Sequence, residues 1–419
     1  MAVSCFVFGI QGASHLKEGG LFWLQQPNMG MKLKKIIKEI ENNDESTITV
    51  DKANYIALLR EVNRLRFKCS QRGALSRSKK MSSKDNSDEP EAVLKHLCNY
   101  CFMPGQEKAI LKTGKTLEQF VAGLGLDGIE LLVYRNVPYF ESFEHLAVGV
   151  HLNYWPMWLA MYRNDKEVLS RFFTSKDALK DYYGTTYCMG WLRNIRDNIK
   201  AALVENPEYL VWHVAECTFE EVFTFKFEHS DMDVVTAAAA VFNRVADEVP
   251  EDVLVLFENL WWPGLRLTEP AVVRAFFEKI KHKNVGIMLD TGHLMNTNPE
   301  LQTEEDGIEY ILKTVKALGE DRKLIRGLHL NCSLSGDYVK TFERVFDSES
   351  SNIERMKHVI KIDQHRPFTD KAVQKLLRFI KPDYVVHELA YRDFSDFEKN
   401  IEVQLTACGR KLSIDDEGD

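Results

Sequence analysis

The sequence predicts an α/β fold of the (β/α)8 barrel class, with a helical or disordered extension at its N-terminus. From residue 96 onward, short apolar runs rich in Val, Ile and Leu alternate with longer amphipathic stretches. Continuous apolar strands flanked by helices indicate a parallel sheet covered by those helices, and eight such units indicate closure into a barrel. A doubly wound open sheet is the competing architecture, but no glycine-rich phosphate loop follows the first run.

The eight apolar runs follow one another over the last three-quarters of the chain. They lie at residues 96–102, 128–134, 146–152, 209–215, 253–259, 285–290, 325–331 and 384–389. Helical patterns lie between most of them, at residues 116–123, 233–246, 269–282, 304–318, 370–380 and 394–404. The connections at 153–207 and 332–382 are long. Because both leave the C-terminal ends of strands, where active sites of this architecture are built, we expect them to form lids or substrate walls.

The first ninety residues differ in character from the rest. Residues 1–70 read as a helical extension, with amphipathic basic stretches at 31–42 and 51–69. Residues 71–92 are rich in Ser, Lys and Asp and read as a flexible linker. The barrel is predicted over 93–410 and an acidic tail over 411–419. The extension reads either as a regulatory or partner-binding appendage or as a poorly ordered segment without a catalytic role, and the second is preferred.

Composition narrows the class of protein. A chain of 419 residues with 45% hydrophobic and 28% charged residues is typical of a globular protein. The net charge of −8 gives no general attraction to polyanions, so a small molecule is favoured as substrate, although nucleic acid is not excluded. No apolar run approaches the roughly 18–20 residues that cross a membrane. Residues 2–14 are mildly apolar but lack a basic leader, so a signal peptide is not expected.

The number and spacing of the cysteines indicate the cellular compartment to expect. Eight scattered cysteines suit a reducing environment, so the cytoplasm is expected. Cys98 and Cys101 form a CxxC, but no second Cys or His pair follows at zinc-finger spacing, which favours a structural strand over a redox or metal motif. The sequence does not indicate an oligomeric state.

Imidazole or carboxylate side chains stand at the ends of six predicted strands. These residues are His151, His213, Glu258, Asp290, His329 and Glu388, with His293 just past Asp290, and Asp363 and His365 between the last two strands. Each alone has a simple explanation, such as a core hydrogen bond or a helix cap. Carboxylates that converge on one end of a barrel repel one another unless a cation lies among them. The sequence therefore predicts a divalent-metal centre, and mixed imidazole and carboxylate ligands suit Zn²⁺, Mn²⁺, Fe²⁺ or Co²⁺ without choosing among them.

Two segments carry a specific resemblance. Residues 258–264 (Glu-Asn-Leu-Trp-Trp-Pro-Gly) and 286–293 (Gly-Ile-Met-Leu-Asp-Thr-Gly-His) resemble the xylose-isomerase-like TIM-barrel superfamily, which holds sugar and sugar-phosphate isomerases and epimerases and endonuclease-IV-type AP endonucleases. The resemblance covers about residues 96–405. From the epimerase branch it implies one metal held by Glu258, Asp290, His329 and Glu388.

The endonuclease branch of this superfamily uses more ligands and three zinc ions. The chain offers side chains at comparable places, which the resemblance implies as additional metal or substrate ligands: His151, His213, His293, Asp363 and His365. Two departures stand against that branch. The glycine-rich and basic loops that grip DNA are not evident, and the spacing between residues 329 and 363 is stretched.

The preferred interpretation is a metal-dependent sugar or sugar-phosphate isomerase or epimerase. The metal would act as a Lewis acid while a proton leaves the carbon next to a carbonyl. By resemblance, Glu258 and Glu388 are the catalytic acid and base. Trp155 and Trp261 are expected to stack on a sugar, and Arg366 to hold a phosphate.

Two alternatives stay open. A di- or trinuclear-metal phosphoester hydrolase is favoured by the number of candidate ligands, while the acidic balance counts against a long nucleic acid and leaves a small phosphoester. A barrel that binds a ligand without catalysis would have lost ligand positions, yet none of the four core positions is missing.

Overall fold

The computed structural model describes residues 94–101, 106–133, 143–347 and 351–410. Three predicted segments lie outside the described residues: the extension at 1–70, the linker at 71–92 and the tail at 411–419. Their boundaries stay predictions.

Eight parallel strands close into a barrel in the order of the chain, which confirms the predicted fold class. The strands are β1 Lys95–Cys101, β2 Gly128–Val133, β3 Ala147–Leu152, β4 Tyr209–His213, β5 Leu254–Glu258, β6 Val285–Asp290, β7 Ile325–Leu330 and β8 Tyr384–His387. Pairing of β1 with both β2 and β8 completes the ring. The predicted strand bounds agree with these to within two residues, because buried parallel strands are continuous apolar runs that the sequence displays directly.

Fifteen α-helices lie among the described residues. They are α1 Gln106–Leu111, α2 Leu117–Gly123, α3 Leu159–Arg163, α4 Lys166–Phe172, α5 Lys176–Tyr183, α6 Cys188–Leu203, α7 Glu221–Thr224, α8 Asp231–Phe242, α9 Pro270–Phe277, α10 Thr291–Met295, α11 Glu304–Ala317, α12 Gly336–Thr341, α13 Asn352–Ile362, α14 Val373–Ile380 and α15 Phe394–Ala407. Capping boxes at Ser230, Thr303 and Ser351 set the first residues of α8, α11 and α13.

Four predicted helical stretches differ from the structure by three residues or more at one end. The stretches predicted at 233–246 and 394–404 are the helices Asp231–Phe242 and Phe394–Ala407, and the other two are shortened by side-chain bonds to the backbone. The stretch predicted at 269–282 ends as a helix at Phe277, because the Asn243 side chain binds the backbone of Lys279 and Lys281 and turns the chain. The stretch predicted at 370–380 begins only at Val373, because the preceding backbone N–H groups of residues 369 and 370 donate to the Glu304 carboxylate.

The two long connections carry helices at the C-terminal end of the barrel. Residues 153–207 hold α3 to α6, and residues 332–382 hold α12 to α14. Side chains from the segments after β4, β5 and β7 pack into a second apolar cluster, which we call the rim core: Ala215, Cys217, Phe219, Val222, Leu260, Trp261, Trp262, Val339, Val359 and Ile362. This cluster fixes the loops that follow three of the strands. None of the described helices combines the length and the apolar character needed to span a membrane.

Candidate metal centre

The barrel brings all nine predicted ligand residues to one buried place, in three groups that share members. The strand group is His151, His213 and Glu258; the central group is Glu258, Asp290, His329 and Glu388; the loop group is Asp290, His293 and His365. Within each group one ligand atom from every residue lies within 4.8 Å of the others, and all these residues are buried. The remaining residue, Asp363, contacts two histidines of the loop group.

The strand group is a triangle of three electron-rich atoms. The Nε2 atoms of His151 and His213 lie 2.9 Å and 2.6 Å from the same Glu258 oxygen, Oε2, and 3.1 Å from each other. The Nδ1 of His151 donates its hydrogen to the Leu152 carbonyl at 2.9 Å, so a neutral His151 turns its Nε2 lone pair toward Glu258. A cation among the three atoms satisfies all of them.

The central group has the same property with the other ring nitrogen. The Nδ1 of His329 lies 2.9 Å from Glu388 Oε2 and 3.2 Å from Glu258 Oε1. Both His329 Nδ1 and Glu388 Oε2 are buried, and neither has a hydrogen-bond partner among the described residues. Buried polar atoms are normally satisfied, so their close approach fits a shared cation.

The loop group is assembled by side-chain bonds to backbone. Asp290 caps α10 by accepting from the backbone N–H of His293 at 2.6 Å. The Nδ1 atoms of His293 and His365 donate to the carbonyls of Asn259 and Glu388. Both rings then present Nε2 to the same oxygen, Oδ2 of Asp363, at 3.3 Å and 2.7 Å. Asp363 therefore belongs with this group.

His365 sits in an unusual backbone conformation. Its φ of +46° is in the left-handed region, which non-glycine residues seldom adopt. The conformation is held by an isolated bridge in which the backbones of Cys332 and Arg366 exchange two hydrogen bonds, and by a bond from the Ala390 N–H to the His365 carbonyl.

The electrostatics are those of a cation site. The centre contains four carboxylates, those of Glu258, Asp290, Asp363 and Glu388. Every ion pair that they form with a described residue is to a histidine. Burial, with Glu388 and Glu258 adding to it, raises the pKa of Asp290 to about 7. Burial alone would lower the pKa of His365, but Asp363 outweighs it and raises that pKa to about 9. Among the described residues, the negative charge of these carboxylates is thus paired with imidazoles, and the donor set fits the Zn²⁺, Mn²⁺, Fe²⁺ or Co²⁺ class expected from the sequence.

The three predicted substrate-binding residues lie in different surroundings. The Trp261 ring is 5.3 Å from the His293 ring, is 4% exposed, and has an indole N–H without a partner among the described residues. Trp155 donates its indole N–H to the Tyr182 carbonyl and lines a small cavity with His213. Arg366 is exposed. Their role in substrate binding stays a prediction.

Sequence reasoning missed a carboxylate deep in the barrel. Glu130 lies in β2, is 2% exposed, and accepts from His329 Nε2 at 2.9 Å and from the Tyr209 hydroxyl at 2.8 Å. Burial, with Glu130 adding to it, raises the pKa of Tyr209 well above its usual value, so this hydroxyl is a donor. The available signal was a single carboxylate inside an apolar strand run, whereas the sequence analysis considered strand ends only.

Two asparagines next to ligands were also missed. The Asn259 side chain exchanges two hydrogen bonds with the backbone of Asp290, at 2.9 Å and 3.0 Å. Asn331 donates to Asp290 Oδ2 at 2.9 Å. Asn259 directly follows the ligand Glu258 in the sequence, and Asn331 lies two residues after His329, which was the available signal. Together they fix the carboxylate that the central and loop groups share.

Comparison with known proteins gives similarity of fold. No family model matches the chain, and no curated protein matches its sequence. Among solved structures, endonuclease IV from Thermus thermophilus is 12% identical, with 75% of this chain and 99% of that chain covered and a TM-score of 0.42. A 3-keto-D-glucoside 4-epimerase from E. coli is 15% identical, with 75% and 100% covered and a TM-score of 0.39. A putative xylose isomerase from Rhodospirillum rubrum is 10% identical, with 75% and 99% covered and a TM-score of 0.45.

Proposed function

We propose that this chain is a phosphoester hydrolase with a trinuclear divalent-metal centre. The observation that carries the proposal is that two carboxylates each belong to two ligand groups. Glu258 Oε2 lies 2.6 Å from His213 of the strand group, and its Oε1 lies 3.2 Å from His329 of the central group. Asp290 belongs to the central and loop groups. A carboxylate that belongs to two groups would hold the ions of those groups next to each other, and neighbouring ions are what metal-assisted phosphoester hydrolysis uses.

In this proposal each group holds one ion, and Asp363 completes the loop group. Ions clustered in this way supply an activated water at neutral pH and stabilise the charge on a phosphate during in-line displacement. The chain's own residues do the positioning. The rings of His151, His293 and His365 each donate from Nδ1 to a backbone carbonyl, and this bond orients Nε2 toward the other ligand atoms. Burial of the ligands keeps bulk water from competing for these contacts.

The isomerase or epimerase reaction favoured by the sequence uses the central group alone. It leaves five buried ionisable residues without a role: His151, His213, His293, Asp363 and His365. Without ions, the pairs that these residues form with Glu258 and with one another would have to offset the whole cost of burying five ionisable groups. This cost changes our preference to the hydrolase. Proton transfer stays the second candidate, because Glu258, Asp290, His329 and Glu388 form a complete four-donor group by themselves.

A small phosphoester is the substrate class that we propose. The net charge of −8 gives no general attraction to a long polyanion. The aromatic rings of Tyr154, against His213 at 4.5 Å, and of Trp261, against His293 at 5.3 Å, flank the two outer groups. They offer apolar contact to the organic part of a compact substrate.

The test is metal content together with activity, on full-length protein purified without added metal. We expect two or three ions per chain by mass spectrometry and chelator-sensitive hydrolysis of bis(p-nitrophenyl) phosphate. An oligonucleotide with an abasic site serves as the nucleic-acid probe, and D-fructose as the epimerase probe. One ion per chain with epimerisation of D-fructose and no hydrolysis would overturn the proposal in favour of the second candidate. Cleavage of the oligonucleotide alone would overturn the proposed substrate class.

A single variant separates the two candidates further. His365→Asn removes a ligand of the loop group only, so we expect one ion fewer per chain and loss of hydrolysis. An enzyme that uses the central group alone would keep its activity. His145→Asn is the matched control, because His145 is exposed and contacts Glu118 at the surface. It should keep both metal content and activity.

A further inference from the structure

We propose that Glu130 is a positioning residue that fixes which nitrogen of His329 faces the central group and thereby sets the affinity of that group for its ion. The inference rests on the proposed function in one respect, namely that a divalent ion binds the central group. It does not depend on the reaction that follows.

The first step is the hydrogen bond itself. Both oxygens of Glu130 lie near His329 Nε2, at 2.9 Å and 3.1 Å. A carboxylate accepts only, so Nε2 carries the hydrogen and donates it. In neutral His329, the form that an ion would bind, the other nitrogen, Nδ1, has its lone pair directed at Glu258 and Glu388, 3.2 Å and 2.9 Å away. Glu130 therefore selects the tautomer in which His329 can be a ligand.

The second step is that Glu130 is itself held in place. The Tyr209 hydroxyl donates to Glu130 Oε2 at 2.8 Å. The phenol ring of Tyr209 occupies the space that a side chain on Gly149 would fill, since a Cβ built there overlaps the ring. Three neighbouring strands thus build this support: β2 carries the Glu130 carboxylate, Gly149 in β3 leaves room for the phenol ring, and β4 carries the Tyr209 hydroxyl. Such a support fixes the carboxylate and, through it, the imidazole.

The third step is the contrast with the other ligand histidines. His151, His293 and His365 each donate from Nδ1 to a backbone carbonyl and present Nε2. His329 is reversed: it donates from Nε2 to a carboxylate and presents Nδ1. A carboxylate partner makes an imidazole a more basic ligand than a carbonyl partner does, and removing such a partner lowers metal affinity by about 10- to 100-fold. The effect should be confined to the group that contains His329.

The test is competition for Zn²⁺ on full-length, Zn²⁺-loaded protein. Increasing chelator is added, and the ions that remain per chain are counted. In Glu130→Gln, which keeps the size of the side chain but removes its charge, we expect one ion to leave at a chelator concentration about 10- to 100-fold lower than in the wild type. The ions of the other two groups should leave as they do in the wild type.

Matched controls separate positioning from general loss of structure. Glu205→Gln makes the same change at a carboxylate that is 1% exposed and accepts from the Phe143 backbone N–H, so its release curve should match the wild type. Tyr209→Phe removes only the support of Glu130 and should shift the same single ion by less. Selectively ¹⁵N-labelled histidine should show one ring bound to the ion through Nδ1 in the wild type, and this signal should disappear at lower chelator concentration in Glu130→Gln.

Two results would overturn the inference. One is a release curve for Glu130→Gln that superimposes on the wild type. The other is an equal shift of all ions in Glu130→Gln and Glu205→Gln, which would mean that burial of a carboxylate, and not its contact with His329, is what matters. A wild type that holds one ion per chain would contradict the trinuclear proposal alone. A selective shift of that one ion would still support the role of Glu130.

Discussion

The strand group and the loop group offer the same kinds of ligand atom but are built in different ways. His151 is the second-last residue of β3, and His213 and Glu258 are the last residues of β4 and β5, so the barrel's own hydrogen bonds hold their backbone. His293 and His365 lie outside the strands, on α10 and on the connection before β8. Their positions depend on a helix cap, one isolated bridge and a left-handed residue.

This difference shows that a barrel holds a metal-binding side chain firmly at a strand end, whereas a side chain on a connection needs additional hydrogen bonds to hold it. A strand end is fixed cooperatively with the rest of the sheet, whereas a connection is fixed by the few bonds it makes. We therefore expect the loop group to lose its ion before the strand group does. The predictions below test what supports each group.

The largest effect is expected at the residue that joins the strand and central groups. Glu258→Gln removes the negative charge that both groups share and replaces one of its two oxygens by an amide nitrogen, so we expect loss of at least one ion and a fall in activity on the order of 10³-fold or more. The barrel should still fold, because the side chain keeps its size. Activity is measured on bis(p-nitrophenyl) phosphate and folding by far-UV circular dichroism. Full activity in this variant would mean that the two groups do not act together.

A smaller effect, confined to the loop group, is expected from the backbone at residue 366. Arg366→Pro removes the N–H that donates to the Cys332 carbonyl at 3.0 Å, and a proline restricts the residue before it to extended conformations. His365 cannot keep a φ of +46° under that restriction. We expect one ion fewer per chain, with the ions of the strand and central groups retained.

The control for this variant is Arg366→Ala, which keeps the backbone N–H. It should retain all ions. If Arg366 contacts the phosphate of the substrate, as the sequence predicts, the variant should also have a higher KM for bis(p-nitrophenyl) phosphate. Equal ion counts in the proline variant and the wild type would show that the bridge does not support the loop group.

The strand group could be predicted from sequence for the same reason that it is rigid. A buried parallel strand is an apolar run, its last residue is visible, and all strands of a barrel point the same way. His151, His213 and Glu258 therefore follow from position alone. His293 and Asp363 were noticed near strand ends, but only the resemblance implied that they are ligands, since no periodicity indicates where a connection returns to the rim.

Other features escaped prediction for a physical reason. Glu130 lies in mid-strand, and whether a mid-strand side chain points to the barrel axis depends on the stagger of the strands, which the sequence does not display. Which nitrogen of His329 faces the site depends in turn on Glu130. The rim core joins side chains from segments far apart in the chain, such as Phe219 and Val339, and no local pattern pairs them.

A moderate effect on stability is expected where a side chain joins the connection before β8 to the sheet. Gln404 is fully buried; it accepts from the Phe368 N–H and donates to the Leu330 carbonyl and to His387 Nδ1. Each buried group left without a partner costs about 1–3 kcal/mol, so Gln404→Ala should lower the free energy of unfolding by about 2–4 kcal/mol. Urea unfolding measures this.

The matched control is Gln374→Ala, because Gln374 is half-buried and donates one bond to the Ala407 carbonyl. Its cost should stay below about 1 kcal/mol. If both variants lost the same stability, the link through Gln404 would not be what fixes the segment that carries His365.

The smallest effect is expected from the aromatic ring beside the loop group. Trp261→Phe keeps a ring near His293 and keeps packing in the rim core, but removes a buried indole N–H that has no partner among the described residues. If that N–H donates to the substrate, its loss should raise KM for bis(p-nitrophenyl) phosphate about 5- to 10-fold, which corresponds to one hydrogen bond of about 1 kcal/mol. Metal content and kcat should not change, because the ring touches a ligand but supplies none. A loss of the loop-group ion instead would mean that Trp261 helps to hold the ligands of that group in place. The rim core would then be as necessary to the loop ligands as the barrel is to the strand ligands.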